Sequence, residues 1–86
     1  MPSSAEKSKS TLQAVKIWFM EGFICLRLAD GREIKTPLEF YPRLKNANPD
    51  ERNNFILNST GSGIHWPQLD EDLTVEGIIL GKRSVL

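Results

Sequence analysis

The sequence predicts an α+β fold: a three-stranded antiparallel meander followed by short helices, a second hairpin and a short C-terminal helix. Three observations predict it. Apolar and polar residues alternate on both sides of Glu21-Gly22 and again after Asp30-Gly31, the pattern of strands joined by tight turns. Pro37 and Pro49 each follow a capping residue and precede an acid, the pattern of helix starts. The turn residues from Ser59 to Gly63 separate two short apolar runs, which suits a second hairpin.

The first strand is expected over Ala14 to Met20, with Val15, Ile17 and Phe19 on one face and Lys16, Trp18 and Met20 on the other. A two-residue turn at Glu21-Gly22 pairs Phe19 with Ile24, Ile17 with Leu26 and Val15 with Leu28, placing all six on one face. The next loop, Ala29-Asp30-Gly31, is read as a three-residue connection with Gly31 in a left-handed bulge. Ile34 then falls opposite Leu26, and Glu33 beside Arg27, which itself faces Lys16.

Thr36 is read as a helix cap, with Pro37 at the first position and Glu39 completing a capping box. Leu38, Tyr41 and Leu44 share helical spacing, with Phe40 beside them. Pro42 divides this segment into a first turn and a short helix reaching about Ala47. Asn48-Pro49-Asp50-Glu51 repeats the capping pattern and starts a second short helix to about Asn54. Phe55 to Asn58 and Ile64-His65-Trp66 form the second hairpin, ended by Pro67. Asp70, Glu71 and Asp72 are read as a loop. Thr74 caps a last helix, Val75 to Leu80, with Glu76 in its first turn and Gly81 stopping it.

One small domain is expected over residues 13–82, between a disordered tail at 1–12 and a loose tail at 83–86. The chain has 86 residues, 40% of them hydrophobic, enough for one modest core. Lys+Arg and Asp+Glu both number 11, so a general attraction to nucleic acid or anionic lipid is not expected. Balanced charge also weakens self-repulsion and eases association. With one cysteine, Cys25, no intrachain disulfide can form, which fits a reducing compartment. No stretch is long enough to span a membrane, and the N-terminal residues lack the apolar run of a signal peptide; a soluble, cytoplasmic protein is expected.

No catalytic or cofactor signature is present, and no cofactor or metal is expected. His65 is the single histidine, and Asp70 or Asp72 could orient it as a base, but no nucleophile is paired with it. A solvated or structural histidine is the simpler reading. Asp70, Glu71, Asp72 and Glu76 match no calcium loop, and a zinc site needs more than one Cys and one His. Gly61 and Gly63 lack the lysine of a phosphate loop. Arg43, Lys45 and Arg52 could form a nucleic-acid surface, but no aromatic residues interleave with them on one face. The outer face of the meander holds more promise. Trp18, Met20, Phe23 and Cys25 form a second apolar cluster there, rimmed by Lys16, Arg27 and Lys35, which suits a protein partner or self-association.

The run Gly63-Ile64-His65-Trp66-Pro67, followed by Leu69-Asp70-Glu71-Asp72 and Glu76-Gly77, resembles the C-terminal signature of the bacterial domain-of-unknown-function family 2442. The upstream order, DGREI and then PLEFYPRLKNANPDERNNF, is similar to that family as well, and the likeness covers roughly residues 14–81. The resemblance implies a small α+β domain and no established activity. It also implies a gene arrangement similar to toxin–antitoxin pairs, beside another small protein. Some longer relatives append a helix-turn-helix domain, for which this chain has no room. The signature is read as shaping the fold: Trp66 in the core, Pro67 ending the strand, and the Asp and Thr residues setting the loop and helix start. A non-enzymatic module binding a protein partner, antitoxin-like, is the function expected. A nucleic-acid accessory protein and an enzyme or metal protein built on His65 and the acidic loop are the alternatives.

Overall fold

The structure, a computed structural model, describes residues 12–84. The tail expected at residues 1–12 lies outside them apart from Leu12. The chain folds as two three-stranded antiparallel sheets with short helices between and after them. The first sheet runs β1 (Ala14–Met20), β2 (Phe23–Leu28) and β3 (Glu33–Pro37), in that order. A single 3-10 turn, Leu38–Phe40, leads to α1 (Pro42–Lys45) and α2 (Pro49–Asn53). The second sheet follows: β4 (Ile56–Leu57), β5 (Gly63–Trp66) and β6 (Glu71–Thr74), with α3 (Val75–Ile79) closing the chain.

Turn chemistry sets the register of the first sheet. Phe19 pairs with Ile24, Ile17 with Leu26, Leu26 with Ile34 and Arg27 with Glu33, as the alternation predicts. Gly31 takes the bulge position at φ +96°, donating its N–H to the Leu28 carbonyl. One pairing differs. Leu28 faces Ala14 rather than Val15, because the register shifts between Ala14 and Lys16. Ala14 is buried and Val15 is 59% exposed. The cause is tertiary: the Ala14 N–H donates to the Gly61 carbonyl at 2.7 Å, drawing the start of β1 toward the second hairpin.

The expected cap at Thr36 is also absent. Thr36 pairs with Ile24 and Pro37 with Phe23, so β3 runs through both. The residue before a proline favours extended backbone, and Pro37 loses nothing on an edge strand. The Leu38 N–H then donates to the Gly22 carbonyl instead of to a side chain. At Asn48 the capping box does form: its side chain accepts from the Glu51 N–H, and Glu51 accepts from the Asn48 N–H. Thr74 likewise caps α3 by accepting from the Gly77 N–H.

The acidic segment expected as a loop is in part a strand. Glu71–Thr74 form β6, with Trp66 opposite Glu71 and His65 opposite Asp72; only Asp70 remains in the turn, at φ +52°. The core lies between the inner faces of the two sheets. Ile24, Leu26 and Leu28 meet Ile64 and Trp66 there, with Leu38, Tyr41, Leu44, Val75 and Ile78 completing it. Residues 83 and 84, expected to begin a loose tail, have partners: the Arg83 guanidinium lies 4.1 Å from the centroid of the Phe40 ring, and the Ser84 N–H donates to the Phe40 carbonyl.

Candidate interaction face

The outer face of the first sheet is built from three cross-strand rows. Lys16, Arg27 and Glu33 form the first; Trp18, Cys25 and Lys35 the second; Met20, Phe23 and Pro37 the third. Trp18, Met20 and Phe23 neither belong to the core nor pack against it, and Cys25, though buried, stands apart from the main core cluster. Met20 is 49% exposed, Trp18 and Phe23 are half-buried, and Cys25 is buried in the middle of the face. The cover is local. The Lys16 ammonium lies 5.3 Å from the Trp18 ring centroid and that of Lys35 4.6 Å from Phe23, each stem lying along apolar surface. Arg27 and Glu33 neutralise one another in a 2.6 Å ion pair. Burial pushes the Cys25 thiol up from its ordinary pKa, with Lys35 pulling the other way, so it is not an activated nucleophile.

At the turn end this face meets two hollows. One, of about 530 Å³, is lined by Gly22, Phe23, Pro37, Leu38, Lys45 and Arg52 among others. The second, of about 380 Å³, lies across the same turn beside Phe19, Met20 and Pro49. Phe23 thus lines both the sheet face and the larger hollow.

The signature residues sort by depth. Ile64 and Trp66 point into the core, and the Trp66 indole N–H donates to the Arg52 carbonyl at 2.9 Å. Pro67 is exposed at the strand's end, Leu69 packs on the core, and the Asp70 carbonyl accepts from Arg43. Glu76 is exposed in the first turn of α3. At Gly77 a Cβ would stand 2.8 Å from the Thr74 hydroxyl, so a side chain there would displace the cap. His65 and Asp72 lie on the opposite side of the sheet, Nδ1 to Oδ1 at 2.7 Å, over a shallow hollow of about 270 Å³ beside Gly63 and Ile56. Of the two carboxylates the sequence offers as partners of His65, Asp70 and Asp72, the strand pairing brings Asp72 to it and leaves Asp70 in the turn.

The three bases considered for nucleic acid are engaged within the fold. Arg52 donates to the carbonyls of Leu44, Lys45 and Ala47. Arg43 donates to the Asp70 carbonyl, 3.9 Å from Glu71, and Lys45 lies 3.8 Å from Glu39. Among the described residues no group of three or more His, Cys, Asp or Glu side chains could hold a metal ion, and no helix is long and apolar enough to cross a membrane.

Sequence reasoning misses one polar cluster. Glu71 is buried; it accepts from the Ser84 hydroxyl at 3.0 Å. The phenol of Tyr41 is buried without a hydrogen-bond partner among the described residues, and burial with the nearby Glu71 charge pushes its pKa up to about 12. The helical spacing marks Tyr41 as a core residue and gives no sign of the carboxylate beside it.

The model of a family described as "Protein of unknown function (DUF2442)" matches residues 14–84. Two solved structures are similar in fold. A protein of unknown function from Rhodospirillum rubrum is 24% identical with a TM-score of 0.73, over 85% of this chain and 90% of that one. An uncharacterized protein from Chromobacterium violaceum is 22% identical with a TM-score of 0.70, over 98% of this chain and 84% of that one. Both likenesses carry the fold alone. No curated protein matches the sequence.

Proposed function

The chain belongs to the DUF2442 family, and from that premise we propose that it is a non-enzymatic interaction module that takes a protein partner on the outer face of its first sheet. The observation that carries this reading is the separation of Trp18, Met20 and Phe23 from the core. An aromatic cluster that adds nothing to the core, ringed by long basic side chains, has the composition of an interface centre. The finer reading is an antitoxin-like subunit held by a small partner protein in the cytoplasm. Its test is affinity purification of the tagged protein from its native host, with mass spectrometry of what stays bound. A stoichiometric small partner is expected, lost on Trp18→Ser or Phe23→Ser with the fold intact by circular dichroism. A partner that ignores both substitutions removes this face from the reading.

The 2.7 Å pair of His65 and Asp72 favours a second reading, an enzyme whose base is an oriented imidazole. A His65→Ala variant that folds and behaves in cells like the parent protein would eliminate it.

A further inference from the structure

We infer that the segment docking on this face is acidic and amphipathic, contributed by a different protein. The inference rests on the reading just given and adds the chemistry of the partner. The charge on the face decides it. Arg27 and Glu33 cancel, while Lys16 and Lys35 have no carboxylate partner among the described residues. Their ammonium groups stand beside Trp18 and Phe23, at the border of the apolar cluster. A segment crossing the rows presents apolar side chains to Trp18, Met20 and Phe23 and carboxylates to the two lysines. Its next apolar side chain reaches the 530 Å³ hollow that Phe23 also lines.

The same charges disfavour the other occupants. A second copy would bring the same excess of positive charge, two lysines without a carboxylate partner among the described residues, against its own, with Glu33 already paired. The chain's own residues 1–11 contain Lys7 and Lys9 against the single acid Glu6, the same sign as the face.

Three synthetic peptides test this, alternating Leu with Glu, with Ser and with Lys, each titrated into the ¹⁵N-labelled protein. The Leu–Glu peptide is expected to shift the Trp18 indole and the amides of Phe23 and Cys25, and to weaken with salt. Reversing either lysine, Lys16→Glu or Lys35→Glu, should weaken it by about fivefold, the upper range for an exposed pair. The double reversal should transfer preference to the Leu–Lys peptide. Equal shifts from all three peptides, or none from the Leu–Glu peptide, overturn the acidic partner. Concentration-dependent shifts of the same signals without peptide would assign the face to a second copy. Their appearance only on deleting residues 1–11 would assign it to the tail. The docking reading fails separately if Met20→Glu, an exposed change that leaves the core alone, and Trp18→Ser both leave capture of the native partner unchanged.

Discussion

At the scale of single residues, Tyr41 is the most informative side chain. Its ring fills the core beside Leu38 and Leu44, but its hydroxyl finds no partner among the described residues. A buried hydroxyl without a hydrogen bond costs about 1–3 kcal/mol, so Tyr41→Phe should leave stability unchanged or raise it. The alkaline behaviour follows from the same burial. In the unfolded chain the phenol ionises near its ordinary 10.0, whereas in the fold it is pushed up to about 12. The fold therefore favours the neutral form, and its contribution is complete below pH 10.0 and lost as pH rises through 12. Denaturant titrations across that range should show the parent losing stability and Tyr41→Phe losing less. Equal losses in the two proteins would place the alkaline transition elsewhere.

At the scale of elements, Arg52 links three of them. Its guanidinium takes the carbonyls of Leu44, Lys45 and Ala47 at the end of α1, and its own carbonyl holds the Trp66 indole of β5. A planar fork serves several acceptors at once, which a single ammonium does not reproduce. Arg52→Ala should therefore cost about 2–3 kcal/mol in urea denaturation, with Arg52→Lys recovering less than half. Recovery by lysine would mean that charge alone matters there. Asn48→Ala removes one cap of the same region and should cost about 1 kcal/mol. The caps at Asn48 and Thr74 and the two turns of the meander are legible because their chemistry lies within a few consecutive residues. β6 is not, because its inward position is filled by a carboxylate: Glu71 faces the interior, where Ser84 satisfies it from across the chain. An acid between two aspartates breaks the apolar alternation that identifies a strand. Only the distant partner makes the burial tolerable, and no local pattern announces it. The outer face is half legible on the same grounds. Register places Trp18, Phe23 and Cys25 together, while the folding of Lys16 and Lys35 over the rings is set by side-chain rotamers that strand alternation does not encode.

At the scale of the whole molecule, the two sheets are joined at the loop from Asn58 to Ser62. Gly61 gives its carbonyl to the Ala14 N–H of β1, and Ser62 gives its carbonyl to the Val75 N–H of α3. Gly61 sits at φ +73°, and a Cβ there would stand 2.8 Å from the Ala14 carbonyl oxygen. A side chain would thus meet both backbone strain and backbone contact, at the point where the first sheet meets the second hairpin. The same contact produces the Val15 bulge, which explains why the pairing of β1 departs from its local pattern only at that end. Gly61→Ala should cost about 2 kcal/mol or more and lower Tm by roughly 10 °C for a domain of this size. Because the core residues of each sheet are buried against the other, the loss should be global. With Trp18 replaced by Phe, so that Trp66 alone reports the second sheet, the fluorescence transition and the far-ultraviolet circular dichroism of the whole chain should shift together in the variant. If the two transitions separate instead, the sheets are independently stable units, and the seam at Gly61 serves to orient the outer face rather than to hold the fold together.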